Sequence, residues 1–571
     1  MQTLEKISVE FPTSVVRDGG LSACLRWIDF FPTATQRTAL NTAANCCRNI
    51  SQDSFELVKD IMGTLLDVLN NSDQKVVEKA CVCVSRIVES FKYQAERLEV
   101  LIRPEMLVAI RRLLLPGTTN LIGPSIHTQF LRVLSITAGA SPARSADLFK
   151  MDIVDTLYQV LTGVSIPSSL ENAGAQVNDV VIMQALIHRP REQITETLNV
   201  ICELLPGVHS EGMSSQESLF ATAFDGEDLL AMRDARTKHS SRTNGERLQL
   251  LDGCKEQLKR FAIVLLPTLT SAFSSTVNLS VRQKVLTAQL KMLSNLDVSI
   301  LEDALRTVQY ASFLAAILSQ QDHPSLVLPA LQAADLLLQR MESVYDNQFY
   351  REGVMAEITK LADRPLKVVA DKTVDGKARS DIESPKSKSA PGPKGSLPER
   401  GHDKTGADEA SDSEVEHDGD DNNEEHDEHG VHEDVSSTPS DSSSDDQDFS
   451  PSDFSSTLQD CITLRAKEFL GAHGSSKGRN SKEKASEILE ELSGLGQDIR
   501  ICYLGGGAGN GVRLFTRLSK FFQGDALESI TSAELLNSEI GQVVLEVFSN
   551  SNGRFRGTPI LHCVNCMRQM P

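Results

Sequence analysis

Apolar residues recur at steps of three and four through most of the first 360 positions, the spacing of a buried helical stripe. Residues 34–50 set Ala39, Leu40, Ala43, Ala44, Cys47 and Ile50 on one face, and Phe55, Val58, Ile61, Met62, Leu65, Leu66 and Leu69 repeat the spacing in the next segment. Pro104 opens a further helix that Gly117 closes, and another ends near Gly139. Between these stripes one turn recurs. A short helix ends on a basic or amide residue, the chain turns on small or acidic residues, and a second amphipathic helix starts at Leu, Ile or Val. It is read at residues 14–21, 147–154, 349–354 and 534–540. Glycine suits such a turn because it takes positive φ without a Cβ clash.

A longer third helix follows the pair. Shifted by 38 positions, Gln36-Arg37 matches Gln74-Lys75 and Arg48 matches Arg86. A period near 40, with two short helices and one long helix per unit, predicts an all-α armadillo- or HEAT-like α-solenoid, in which each unit covers the apolar face of the next. The alternative is a generic helical bundle. The composition fits helix packing: 40% of residues are apolar, 5% are aromatic and Trp27 is the one tryptophan.

Composition shifts divide the chain. Residues 1–204 read as a first block of repeats, 205–245 as a flexible loop rich in Ser, Gly and charge, and 246–362 as resumed repeats with a helix opening at Asp322-His323-Pro324. Residues 363–455 hold too little apolar area to offset chain entropy, and are expected to be a disordered acidic, Ser-rich linker. Residues 456–550 return to helical spacing, and 551–571 lose it. The net charge of -21 comes almost entirely from the linker, since residues 401–450 hold 19 Asp and Glu against one Lys. The rest is nearly neutral, which argues against a nucleic-acid partner. No run reaches ~18 uninterrupted apolar residues, so no membrane span is expected. Cys24, Cys46, Cys47, Cys81, Cys83 and Cys202 sit in apolar stretches with no disulfide-like spacing or secretory leader, the usage of reduced, buried thiols in the cytoplasm or nucleus.

Several motifs fall short of chemistry. Gly505-Gly506-Gly507-Ala508-Gly509-Asn510-Gly511 misses the dinucleotide spacing, lacks the Lys-Ser or Lys-Thr of a P-loop and has no acidic residue before it, so a loop between helices is expected. His562, Cys563 and Cys566 are half of a zinc site, without a second Cys pair nearby. The histidines at 402, 417, 426, 429 and 432 belong to a solvated polar tract. Ser411 and Ser413 precede acidic residues in the pattern of acidophilic kinase sites. No catalytic triad, paired-carboxylate cleft, cofactor site or metal site is read. Binding is sought on the third helices, which line the concave face of a right-handed array. There Asn41 and Asn45 offer amides that bond a peptide backbone, and Arg48 and Arg86 offer guanidinium forks for a carboxylate or phosphate. The competing reading is that these four only solvate the helix surface.

The run from Thr42 through Asn45-Cys46-Cys47-Arg48-Asn49 to Ile50, and Cys83-Val84-Ser85-Arg86-Ile87-Val88-Glu89-Ser90-Phe91, resemble the armadillo region of HECT-type ubiquitin ligases of the ubiquitin-fusion-degradation family. So do Gln36-Arg37-Thr38-Ala39, Asp322-His323-Pro324, Phe349-Tyr350-Arg351-Glu352-Gly353-Val354 and Asp525-Ala526-Leu527-Glu528-Ser529-Ile530-Thr531. The resemblance covers most of residues 1–360 and 456–550 and includes an acidic insert. It implies substrate recognition by the array, with degron-bearing or ubiquitin-fused proteins as partners in proteasomal degradation. It also implies ubiquitin transfer through a Cys thioester on a separate HECT domain. Only 116 residues follow position 455, and they read as repeat helices, so the HECT domain is expected to be missing. No Cys here inherits the catalytic role. Any contact with a conjugating enzyme or the proteasome would run through the missing part. The alternative is a stand-alone armadillo adaptor or scaffold, against which the single Trp counts.

Overall fold

The computed structural model describes residues 1–115, 122–167, 179–208, 244–320, 322–365, 451–473, 477–504, 511–523 and 529–550. The chain divides into two units, Met1–Lys367 with Ser450–Pro571, and Val368–Phe449. Among the described residues, all in the first unit, the regular structure is helical, with no strand. The all-α expectation is met.

The first helices are α1 (Gln2–Glu10), α2 (Pro12–Arg17), α3 (Gly20–Arg26), α4 (Thr33–Cys46), α5 (Phe55–Val68), α6 (Gln74–Phe91), α7 (Ala95–Leu101), α8 (Pro104–Leu114) and α9 (Pro124–Ala140). Next come α10 (Pro142–Lys150), α11 (Ile153–Thr162), α12 (Asp179–His188) and α13 (Arg191–Leu204). After a helical stretch at 244–252 come α14 (Lys255–Ser275), α15 (Leu279–Asn295), α16 (Val298–Leu305), α17 (Tyr310–Leu318), α18 (Pro324–Arg351) and α19 (Val354–Ala362). The last are α20 (Pro451–His473), α21 (Lys477–Tyr503), α22 (Gly511–Lys520), α23 (Ser532–Asn537) and α24 (Ile540–Asn550).

The recurring turn has one geometry in all four places. The residue before the second helix is left-handed each time: Gly19 at φ 80°, Asp152 at 53°, Gly353 at 79° and Glu539 at 55°. Its N–H donates three residues back, to Val16, Phe149, Tyr350 and Leu536 respectively. The preceding N–H donates four residues back, to Ser14, Asp147, Gln348 and Glu534. Two glycines, an aspartate and a glutamate thus close the same turn. Each turn leads into a buried apolar residue: Leu21 two positions after Gly19, and Ile153, Val354 and Ile540 immediately after the left-handed residue.

The longer helices pack side by side in chain order: α1 on α4, α4 on α6, α6 on α9, α9 on α13, α13 on α15, α15 on α18 and α18 on α20. Shorter helices pack on one another beside this ladder, for instance α3 on α5, α11 on α14 and α17 on α19. One buried apolar core includes residues from Val15 to Phe469; a second, smaller one joins Leu492, Leu495 and Ile499 to Phe515, Ile540 and Val547. The ladder helix in α18 ends at Met341, whose φ of -136° and ψ of 41° break the helix, so that residues 342–351 form the first short helix of the next pair.

Cations tie neighbouring rungs together. The last carbonyls of a helix lack intrahelical donors and carry the negative end of its dipole. Arg86 donates to Ala44 O, Arg112 to Leu69 O at 3.1 Å, Lys291 to Cys202 O at 2.7 Å, and Arg340 to Leu293 O and Leu296 O. Buried Arg247 gathers four carbonyls, those of Ala138, Gly139, Glu203 and Leu205. Bonds between rungs join residues 42 to 45 apart at Arg86, Arg112, Arg97 to Gln52, Gly123 to Glu78 and Ser141 to Glu99. That stacking step exceeds the 38-residue match of Arg48 with Arg86, because Arg86 reaches Ala44, one turn before Arg48.

Two joints hold α20 and α23 to the helices before Val368. Asp335 of α18 accepts from Arg465 Nη2 and His473 Nε2 of α20, each at 2.8 Å. Arg351 meets Glu534 through two bonds, Nε to Oε1 at 2.7 Å and Nη2 to Oε2 at 2.8 Å, with side chains 6% and 4% exposed. Thr531 and Glu534 form a capping box at the start of α23, and Arg351 Nη2 also donates to Ser529 O at 2.9 Å.

Candidate functional site

α4, α6 and α9 bury most of their circumference and leave a polar stripe open along one side. On α4 the stripe runs Thr38, Asn41 and Asn45 and reaches Arg48 just beyond the helix end; on α6 it runs Lys75, Lys79, Val82, Arg86, Glu89 and Tyr93; on α9 it includes Gln129, Arg132 and Ile136. Steps of three and four keep these residues on one side of their helices.

Three of the four sequence-read candidates are engaged in joining rungs. Asn41 Nδ2 donates to Glu5 Oε1 of α1, and Asn45 Nδ2 donates to Ser8 Oγ at 3.2 Å. Ser8 is fully buried, and its own hydroxyl donates to Glu5 O at 2.6 Å. Arg86 spends Nη1 on Ala44 O. Burial, and then the positive charge of Arg48, hold its pKa below the usual guanidinium value. Arg48 is exposed. The stripe also contains residues that sequence reading passed over: Lys75, Lys79, Tyr93 and Arg132. Their signal was the period of polar positions on α6 and α9, which singles out a face without naming a role.

Charges on α6 and α9 interlock. Lys92 Nζ lies 2.8 Å from Glu89 Oε1, and Arg132 Nη2 lies 3.4 Å from the same oxygen. Lys92 also stands 5.0 Å from the ring centre of Tyr93, itself 66% exposed. At the other end of the stripe Arg37 pairs with Asp73, which caps α6 through Val76 N at 3.0 Å.

Among the described residues no group of three His, Cys, Asp or Glu side chains could hold a metal ion. The thiols of the first rungs are buried, and desolvation raises the pKa of Cys24 to about 11 and of Cys46 to about 12. Such thiols stay protonated and make poor nucleophiles. Among the described residues no helix is long and apolar enough to cross a membrane. Gly505 to Asn510, Ser411, Ser413, the five tract histidines and Cys563 with Cys566 lie outside the described residues, as does Gly117.

No family model matches the chain. It is similar to E3 ubiquitin-protein ligase UPL3 of Arabidopsis thaliana, 31% identical over 63% of this chain and 19% of that protein. It is similar also to E3 ubiquitin-protein ligase TRIP12 of Danio rerio, 28% identical over 64% and 19%, and to Ubiquitin fusion degradation protein 4 of Saccharomyces cerevisiae, 22% identical over 63% and 23%. The chain is a homologue of the ubiquitin-fusion-degradation ligases, as the resemblance of its helical runs implied, and it spans about a fifth of the length of these relatives. Among solved structures, an engineered protein aligns with 64% of this chain and 90% of its own at a TM-score of 0.27 and 15% identity, too loose a likeness to carry an argument.

Proposed function

We propose that this chain is the substrate-recognition region of a ubiquitin ligase of the ubiquitin-fusion-degradation type, an armadillo-like α-solenoid that holds degron-bearing or ubiquitin-fused proteins for ubiquitin-dependent degradation. The observation that carries the reading is the ladder of third helices with a continuous open stripe, in a chain whose relatives are E3 ubiquitin-protein ligases. The bonds at 42 to 45 residues support a repeat of armadillo or HEAT length. Free, buried cysteines suit a reducing compartment, the cytoplasm or nucleus. In this reading ubiquitin transfer, which needs an accessible, activated thiol, belongs to a HECT domain, as the resemblance implies.

The test is capture. Immobilised full chain should retain a ubiquitin-fused reporter with an uncleavable junction, and it should form no reducible ubiquitin adduct when mixed with a charged conjugating enzyme. A chain that forms the adduct has a transfer site of its own. A chain that retains neither the ubiquitin-fused nor a degron-bearing reporter is not a recognition region.

A further inference from the structure

The open stripe of the first rungs has an excess of positive charge that internal pairing does not consume. Lys75, Lys79 and Arg86 lie along α6, Arg48 lies just past α4 within electrostatic range of Arg86, and Arg132 rises from α9. Glu89 is the carboxylate among them, and one of its oxygens already meets both Lys92 and Arg132. Nearby acids offset only part of this charge: Asp73 is neutralised by Arg37, while Glu5 and Glu78 accept from neutral donors (Asn41 for Glu5, Gly123 N and Gln74 for Glu78) and stay charged, and the cations still outnumber them. The next ladder helix reverses sign, with Glu192, Glu196 and Glu203 along α13. Gathering like charges on one face raises the folded chain's electrostatic energy, and an anionic partner relieves it.

We propose that the stripe across α4, α6 and α9 binds an acidic segment of a polypeptide in extended form, with Arg48, Lys79, Arg86 and Arg132 meeting its carboxylates and Tyr93 packing on an interleaved apolar side chain. This deepens the recognition reading above and rests on it. Three rungs at interaxial distances of about 8–10 Å span about 20 Å, which an extended chain rising about 3.3 Å per residue crosses in roughly six residues. Successive side chains of such a strand point to opposite sides, so two or three acids would face the stripe. Val82 and Tyr93 interrupt the cations and suit that alternation. A nucleic-acid strand bears charge at every residue and runs best on an unbroken cationic track, which Glu89 and the acids of α13 deny it. Arg86 adds a specific reason: Ala44 O occupies one of its nitrogens, leaving the remainder of a pre-positioned fork for a carboxylate.

Fluorescence anisotropy on the full chain tests this with a short fluorescein-labelled peptide alternating Glu and Ala, its Gln-and-Ala counterpart, and a single-stranded RNA oligonucleotide as competitor. The acidic peptide should bind and the Gln peptide should not. Joint Arg48→Glu and Lys79→Glu substitution should weaken binding roughly tenfold or more, with the helical circular-dichroism signal unchanged because both residues are exposed. Glu192→Lys should leave binding equal or tighter. Equal binding of the two peptides, unchanged affinity in the double variant, or displacement by RNA at lower concentrations than by unlabelled acidic peptide would overturn the proposal. A double variant that loses the acidic peptide but still retains the ubiquitin-fused reporter keeps both inferences and separates their sites. A chain that holds the reporter and ignores the acidic peptide keeps recognition alone.

Discussion

On the first rungs and at the joint before α23 an arginine meets a glutamate, in opposite surroundings. Arg132 and Glu89 are 56% and 41% exposed and 3.4 Å apart, and Glu89 is shared with Lys92. Arg351 and Glu534 are 6% and 4% exposed and joined by two short bonds, with Ser529 O and the capping box of α23 around them. Water screens the first pair, so it holds little structure and stays available to a partner. The second pair has lost its water, so each charge depends on the other and the pair fixes one register between helices distant in sequence. Exposure decides whether the same chemistry serves binding or assembly.

Removing one partner from each pair should separate the two cases most strongly. Arg351→Met leaves Glu534 ionised and buried, which costs about 3–5 kcal/mol. The loss should be read as faster amide exchange across residues 529–550 and 341–362, with α4 and α6 unchanged. Arg132→Ala should alter exchange nowhere by more than about 1 kcal/mol. Equal effects at the two sites would remove the distinction between them.

The helices and turns were legible in the sequence because apolar spacing and burial share one cause. All six apolar residues read on one face of residues 34–50 are buried. The four turns were found from the apolar residue that follows them, which is why Asp152 and Glu539 at positive φ did not obscure them. The break at Met341 was not legible, since no Pro or Gly marks it. The stripe was legible only in part. Asn41 and Asn45 were read as open amides, but the structure gives them acceptors on α1, 36 and 37 residues upstream, a distance at which helical spacing carries no information. The cap from Arg86 to Ala44 O was hidden for the same reason.

A smaller effect sits beside the buried pair. Gly353 has φ 79°, and a Cβ built there would meet nothing within 4 Å. Gly353→Ala therefore isolates the backbone cost of a left-handed alanine, about 1 kcal/mol. It should lower the urea midpoint of the full chain slightly, and Gly19→Ala, equally free of neighbours, should match it. A much larger loss at Gly353 alone would show that its turn also sets the geometry of Arg351.

The smallest expected effect concerns protons. Glu352 is buried next to Arg351, and desolvation followed by repulsion from Glu534 raises its pKa to about 7, against the attraction of Arg351 and hydrogen bonds from Ala533 N and Ser312. A carboxyl with a raised folded-state pKa favours the folded joint while it is protonated. Its contribution is complete below the unfolded value of 4.5 and is lost as pH rises through about 7. Amide protection of residues 529–550, corrected for intrinsic exchange rates, should therefore decline between about pH 5 and 7 and level off above that. Glu352→Gln stays neutral and should flatten that decline, while residues 74–91, where the cations are exposed, should show none in either protein. A decline that survives Glu352→Gln would assign the proton elsewhere and leave Arg351 and Glu534 as a pair indifferent to their neighbour.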